Sequence, residues 1–480
     1  MTGPWHGLSS RPAWRERKGP EVKQLFTVAE IAAVTGGRLL QGSPAAPVYG
    51  FAYDSRKVRE GDCFVAMPGE RVDGHEFTAK AAQAGAACIL AGRPVEAPGA
   101  SVVVADDPLL ALGKLGLAQR QRFDIPIVGV TGSVGKTTTK ELIAAVLAEG
   151  FDVFRSLGNL NSEVGLPITL MGLRPENQVA VLEMGMRALG EIAYLVSIAR
   201  PRIGVVTNVG ITHLEVLGTQ ANIARAKGEL VRGLPVDGAA ILNVDDPYVA
   251  AMAGESPCKV WYYGFAAASG AGRSVTARDI RRDGEAGQRF TLVTPAGEVE
   301  AYLPAPGRHN VLNAMAAAAV GLELGMSLSA IAAGLAHYEP SGNRMRIVQA
   351  GAVRLLDDTY NAAPLSVIAA LGVMRELAGE SGRCVAVLGD MYELGAAAEE
   401  GHRQVGAEAA RLADAVVTVG DLARHIASAA GEKALFFEAK HLAVEHLRGL
   451  LQPGDTVLVK GSRGMAMEEI VAALENQWKV

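Results

Sequence analysis

Eight consecutive residues, Thr131, Gly132, Ser133, Val134, Gly135, Lys136, Thr137 and Thr138, combine glycines, an amine and hydroxyls. Those types suit a phosphate chain. Glycines let backbone N–H groups turn toward oxyanions, and a following helix N-terminus adds positive potential. Lys136 is spaced to meet the β- and γ-phosphates, and Thr137 to reach Mg2+. Val130 stands where the usual GxxxxGK[ST] pattern has its first glycine, so Gly132 must supply the turn. The apolar run "IPIVGV" precedes the loop and "KTTTKELIAAVLAEG" follows it, a strand–loop–helix setting that a chance glycine-rich turn lacks.

Three further residues could complete a phosphoryl-transfer site. Glu183 ends the apolar strand "VAVLEMG". A carboxylate at the C-terminal edge of a parallel strand reaches the ligand crevice and can bind a metal ion. His213, in "NVGITHLEVLG", follows another strand and could ligate a second Mg2+ or meet phosphate. Lys227 lies in "NIARAKGELVRGL", where Ile223, Leu230, Val231 and Leu234 share one helical face with it in the middle. A lysine on a buried face is costly unless paired or neutral. A neutral buried amine can add CO2 to give a carbamate, an anion able to bind Mg2+; snorkelling to the helix edge is the alternative. Two metal ions beside a phosphate loop would serve phosphoryl transfer, and a carboxylate acceptor would give an acyl phosphate open to attack by an amine. No NKxD-type guanine motif or HRD-type kinase loop is present.

The elements that must hold these groups are α/β throughout. At 480 residues the chain is too long for one core and implies about three domains. Residues 24–107 read as a small α/β unit from "LFTVAEIAAVTGG", "VYGFAYDSR", "DCFVAMPG" and "FTAKAAQAGAACILA". Residues 108–336 repeat strand then helix, which implies a doubly wound parallel sheet covered on both faces. From Val260 to Pro304 the pattern changes to an antiparallel meander. Residues 337–480 alternate again through "VRLLDD", "RCVAVLGD", "DAVVTVG", "ALFFEA" and "DTVLVKG", a second doubly wound, Rossmann-like domain. Residues 1–23 read as a loosely ordered extension with no apolar signal core.

Composition narrows the partners. A formal net charge of −5 leaves no basic surplus for nucleic acid. The four cysteines are scattered without CxxC, which fits a reducing compartment and no structural zinc. No apolar run reaches the ~18 residues of a membrane span, so a cytoplasmic protein is expected.

The ordered set "DSRKVREGDCFVAMPGERVDGHEF", "GVTGSVGKTTTK", "GNLNSEVGLP", "LEMGM", "NVGITHLEVLG", "AKGEL", "PGRHNVLNA", "DDTYNAAP", "VLGDMYELG" and "VKGSRGMAMEEIV" resembles the Mur ligases, ATP-dependent amide-forming enzymes of peptidoglycan precursor synthesis, from Leu25 to Val480. The family's phosphate motif is TGxxGK[ST], which the loop satisfies. The nearest resemblance is to the branch that adds D-alanyl-D-alanine to UDP-N-acetylmuramoyl-tripeptide. It implies a UDP-sugar-binding first domain, a central ATPase domain and a third domain for the dipeptide, in a monomer using ATP and two Mg2+ ions. It implies that the loop residues 131–138 bind nucleotide, that Thr137, Glu183, His213 and a carbamylated Lys227 hold metal, and that Lys136, His213 and Lys227 serve catalysis. His309, Asn310, Arg344 and Asp358 would contact ATP. Asn343 intervenes where many members read closer to GR, so Arg344 is a looser match. Asp54, Ser55 and Arg56 fall in the UDP-sugar region. Asn159, Asn161 and Ser162 would meet the acceptor, and Asn361, Lys460, Ser462 and Arg463 the dipeptide. The ligase adding the third peptide residue shows DYAHTP where this chain has "DDTYNAAP", and its DNPR-type motif is missing. A folylpolyglutamate synthase would lack the first-domain motifs. A P-loop nucleotide switch is the rival of another class.

Overall fold

The computed structural model describes residues 23–69, 72–156, 158–267, 272–284, 287–340 and 342–477. The extension expected over 1–23 therefore lies, apart from Lys23, outside the described residues. The chain divides into two compact units, Met1–Gln119 and Arg120–Val480.

The first unit holds a five-stranded sheet of Arg38–Gln41, Ser101–Val104, Cys88–Ala91, Asp62–Val65 and Gly50–Ala52, in that spatial order, parallel except at the Arg38–Gln41 edge. Its entry helix Val28–Thr35, within the stretch read as helical, starts where Thr27 and Glu30 form a capping box. In "VDGHEF", Asp73 and Gly74 serve a turn. Asp73 caps a short 3-10 turn, and the His75 ring ties Asp73 to the N–H of Gly92.

The second unit contains two larger sheets. The first has nine strands, in the order Gly297–Leu303, Gly287–Thr294, Ser274–Asp283, Lys259–Tyr263, Ala239–Asn243, Ile203–Val206, Ile127–Thr131, Val179–Glu183 and Val153–Arg155. From Ser274–Asp283 to Val153–Arg155 every neighbouring pair is parallel. Beyond Ser274 the strands run antiparallel, the meander expected from the change of pattern. That expectation began at Val260, but Lys259–Tyr263 belongs to the parallel series: its partner strand Ala239–Asn243 precedes it across a helical connection. The edge strand Val153–Arg155 is too short to give a period.

The second sheet of this unit orders Arg346–Ala350, Val353–Asp357, Thr456–Lys460, Cys384–Gly389, Ala415–Val419 and Ala434–Phe437. All of its neighbours are parallel except the leading hairpin. Buried aliphatic side chains on both faces meet helices, which is why these strands read as continuous apolar runs. Among the described residues no helix is long and apolar enough to cross a membrane, and all four cysteines are free.

Candidate active site

The phosphate loop joins the strand Ile127–Thr131 to the helix Lys136–Leu147. Gly132 sits at φ 151°, and a Cβ there would lie 1.8 Å from Thr207 Oγ1. Gly135 caps the helix at φ 84°. Both glycines are therefore obligatory, and Gly132 makes the turn that Val130 cannot. The loop is strapped to the neighbouring strand end: Val134 N–H donates to Asn208 Oδ1 at 2.9 Å, Gly210 N–H to Ser133 Oγ at 2.8 Å, and Thr207 Oγ1 to the Val134 carbonyl at 2.7 Å. Lys136 Nζ donates to the carbonyls of Gly132 (2.8 Å) and Ser133 (3.3 Å). Burial pulls its pKa below the ordinary amine value, partly countered by Glu183.

Glu183, 3% exposed at the end of its strand, accepts from Thr137 Oγ1 at 2.6 Å and from Asn161 Nδ2 at 2.7 Å. Arg344 Nη2 donates to the same Thr137 hydroxyl at 3.2 Å, and its guanidinium stacks 3.6 Å above the Tyr360 ring. The stretch that departs from the family's usual spacing thus still delivers Arg344 to the phosphate loop.

Lys227 is 2% exposed on the helix Gln220–Arg232. Ile223, Leu230 and Val231 of that helix are fully buried, as the periodicity requires. The helix lies close because Gly129 and Gly204 leave room: a Cβ at either would come within 3.1 Å of Leu230. No hydrogen bond or ion pair engages the Lys227 ammonium among the described residues. Burial first, and then the Lys136 charge, hold its pKa well below the ordinary amine value. The amine is buried and lines a cavity rather than reaching solvent, so the snorkelling alternative fails.

That cavity, about 810 Å3, lies within the Arg120–Val480 unit and collects groups from the strand ends of both of its sheets. Ser133 to Thr138, Asn159, Asn161, Ser162, Glu183, His213, Lys227, His309, Asn310, Arg344, Asp358, Asn361 and Lys460 all line it. Lys460 Nζ pairs with Asp358 Oδ2 at 2.5 Å and donates to the Asn361 carbonyl at 2.8 Å. Burial pushes the His309 imidazole down to about 4. Asn310 Nδ2 donates to the Pro306 carbonyl at 2.7 Å.

Other candidates fall elsewhere. Thr131 and Gly132 shape the loop from behind it. Ser462 is buried and accepts from the Tyr392 N–H, while Arg463 is exposed and pairs with Glu468; neither lines the cavity. Asp54 and Arg56 pair with each other beside Ser55 in the first unit, and Arg56 holds the Asp54 carboxyl at about 2.

Sequence reasoning assigned no role to Glu393, Asn313 or Asn208. Glu393 Oε2 meets His213 Nδ1 at 2.8 Å, and that contact holds its carboxyl below the ordinary value. Both residues have left-handed backbones, φ 63° for His213 and 65° for Glu393, and only the folded chain brings them together. Asn313 was findable, since it lies four residues after His309 on one helical face.

For a divalent cation, the described residues hold no group of three or more His, Cys, Asp or Glu side chains arranged as ligands. The Thr137 hydroxyl and Glu183 carboxylate are nevertheless adjacent hard oxygen donors of the kind Mg2+ takes together with substrate phosphates.

Three sequence profiles match: the Mur ligase family catalytic domain over 47–122, the Mur ligase middle domain over 130–321, and the Mur ligase glutamate ligase domain over 343–463. The chain belongs to the Mur ligase family. It is 40% identical over 455 residues to the UDP-N-acetylmuramoyl-tripeptide–D-alanyl-D-alanine ligase of Escherichia coli K12, covering 94% of this chain and 98% of that protein. A crystal structure of MurF from Acinetobacter baumannii matches with TM-score 0.87 and 34% identity, covering 94% of this chain and 99% of that one. The MurF ligase of Thermotoga maritima in complex with ADP matches with TM-score 0.79 and 29% identity, over 90% and 98% of the two chains.

Proposed function

We propose that this chain is an ATP-dependent, ADP-forming ligase that joins D-alanyl-D-alanine to UDP-N-acetylmuramoyl-tripeptide in peptidoglycan precursor synthesis. The observation that carries this reading is the convergence of Lys136, Thr137, Glu183 and the buried amine of Lys227 on one cavity, in a chain 40% identical to a ligase of that name.

The chemistry follows from the groups present. A terminal carboxylate oxygen of the tripeptide attacks the γ-phosphorus of ATP, the bond to the β-bridging oxygen breaks, and ADP leaves. The amine of D-alanyl-D-alanine then attacks the acyl carbon, phosphate departs and the amine loses a proton. Lys136 and the helix N-terminus offset charge on the transferred group. Thr137, Glu183 and a carbamylated Lys227, with His213 beside them, would hold Mg2+, and two such ions would neutralise the phosphate oxygens. Glu183 orients the Thr137 hydroxyl, and Asn161 orients Glu183. Arg344, fixed on Tyr360, and the pair Lys460–Asp358 bring the six-stranded sheet to the nucleotide.

We assign residues 24–107 to the UDP-sugar, 108–336 to ATP, and 337–480 to the incoming dipeptide. Asp54, Ser55 and Arg56 are the first-unit candidates, Asn159, Asn161 and Ser162 face the acceptor, and Asn361 and Lys460 face the dipeptide. A UDP-linked substrate supports a cytoplasmic enzyme, and we propose that it works as a monomer. The test is incubation with ATP, Mg2+, D-alanyl-D-alanine and tripeptides ending in lysine or diaminopimelate, read by mass. Phosphate release must depend on both acceptor and dipeptide; hydrolysis indifferent to either would identify a nucleotide switch instead.

A further inference from the structure

Lys140 is the most deeply buried charge that the mechanism leaves unused. It is 0% exposed, one helical turn beyond Lys136 on the phosphate-loop helix. An ammonium there costs several kcal/mol of desolvation unless its donors are engaged, and an aliphatic residue would pack the same site without that cost. Its donors are engaged. Nζ donates to the Ser156 carbonyl at 2.6 Å and pairs with Glu141 Oε1 at 3.0 Å, and Glu141 in turn meets Arg155 Nε at 2.7 Å.

Ser156 lies where the edge strand Val153–Arg155 leaves the sheet. Its N–H still donates to the Val181 carbonyl, the last rung of the ladder. Past that point the neighbouring strand continues to Glu183, whose N–H has no backbone acceptor opposite it among the described residues. The Ser156 hydroxyl fills the gap and accepts from the Glu183 N–H at 3.2 Å. Ser156 is 1% exposed, so its carbonyl, released from the ladder, needs a donor. Lys140 is that donor, and only a side chain with its reach spans from the helix to the end of the strand.

We propose that Lys140 is a positioning residue: acting through Ser156, it fixes the backbone of Glu183 so that the carboxylate meets the Thr137 hydroxyl on the same helix that carries Lys140. Both ends of that 2.6 Å contact are thereby referenced to one helix, the strand end through the Lys140–Ser156 strut and Thr137 directly. The inference rests on the ligase reading for the importance of Glu183, though not for the geometry.

The test uses the full chain with Lys140→Met, Ser156→Ala and the double substitution. Amide exchange of Glu183 needs no activity; it should speed up about tenfold in each single variant while the preceding strand residues stay protected. In the ligation assay, kcat per folded enzyme should fall about tenfold with the KM for ATP changed less than about twofold, and the double variant should be no worse than the poorer single. Lys140→Arg, which keeps charge and donors, should recover part of the loss. Unchanged Glu183 exchange, unchanged kcat per folded molecule, or multiplicative losses in the double variant would overturn the proposal. If Lys140→Met does not fold, Ser156→Ala alone decides, by the same two readouts. Wild-type protein that makes no amide product would sink the ligase reading instead, and leave the exchange result standing.

Discussion

Replacing Lys227 by methionine should make the protein more stable and abolish its activity. The stem is retained and the buried nitrogen removed. In wild type the residue is 2% exposed, its nitrogen has no hydrogen-bond or ion-pair partner among the described residues, and its pKa is held well below the usual value by burial and by Lys136. Each unit of such depression costs the folded state about 1.4 kcal/mol at pH values below the folded pKa. Removing the amine should therefore stabilise the fold, and each kcal/mol gained raises the apparent midpoint of a domain of 150–250 residues by roughly 2–4 °C. The sign follows from linkage. Between the folded pKa and about 10.5 the unfolded chain carries a proton that the folded chain does not, so wild-type stability rises with pH through that window. The variant's advantage should be largest near neutral pH and fade as pH approaches ~10. Thermal unfolding of both proteins in CO2-free buffer at a series of pH values measures it. Activity should fall by at least about a hundredfold, because the proposed metal-binding carbamate can no longer form, and in Lys227→Ala short-chain carboxylic acids should restore part of it. A variant less stable than wild type at every pH, or fully active without rescue, would refute the reasoning.

Lys136→Ala should leave the unfolding midpoint nearly unchanged and lower kcat for ligation at least about a hundredfold; near-normal turnover would contradict its role on the transferred phosphate. His309, half-buried and held at about 4, is neutral in the folded state while the unfolded chain protonates near 6.5. Wild type should therefore lose on the order of 2 kcal/mol between pH 7 and 4 through this residue. Comparison with His309→Gln by chemical denaturation at each end of that range reads it, and equal pH slopes for the two proteins would exclude the effect.

Much of this site was legible because its groups sit where strands end and helices begin. Strand-end position placed Glu183, whereas His213 lies seven residues past the strand end at Val206, at the cap of the short helix Leu214–Leu217; the loop's own composition placed Lys136 and Thr137. The odd lysine on an apolar helix face was the strongest single signal, since period and polarity disagree there for a physical reason. What escaped depends on contacts between distant segments. Glu393 meets His213 180 positions away in the chain, through two left-handed backbones that no local rule requires. The short edge strand ending at Arg155 has too few residues for a period, and the Lys140–Ser156 strut that depends on it was invisible with it. Ser462 has the right neighbours in sequence, but its hydroxyl is spent on the Tyr392 N–H.

The central claim is that ATP energy passes into an amide bond through an acyl phosphate formed in the cavity around Lys136, Glu183 and Lys227. The most direct measurement supplies UDP-N-acetylmuramoyl-tripeptide labelled with 18O in its terminal carboxylate, with ATP, Mg2+ and D-alanyl-D-alanine, and follows the label by mass. One labelled oxygen should appear in the released phosphate for every amide bond made, and none in ADP. Release of unlabelled phosphate at the rate of amide formation would contradict the account.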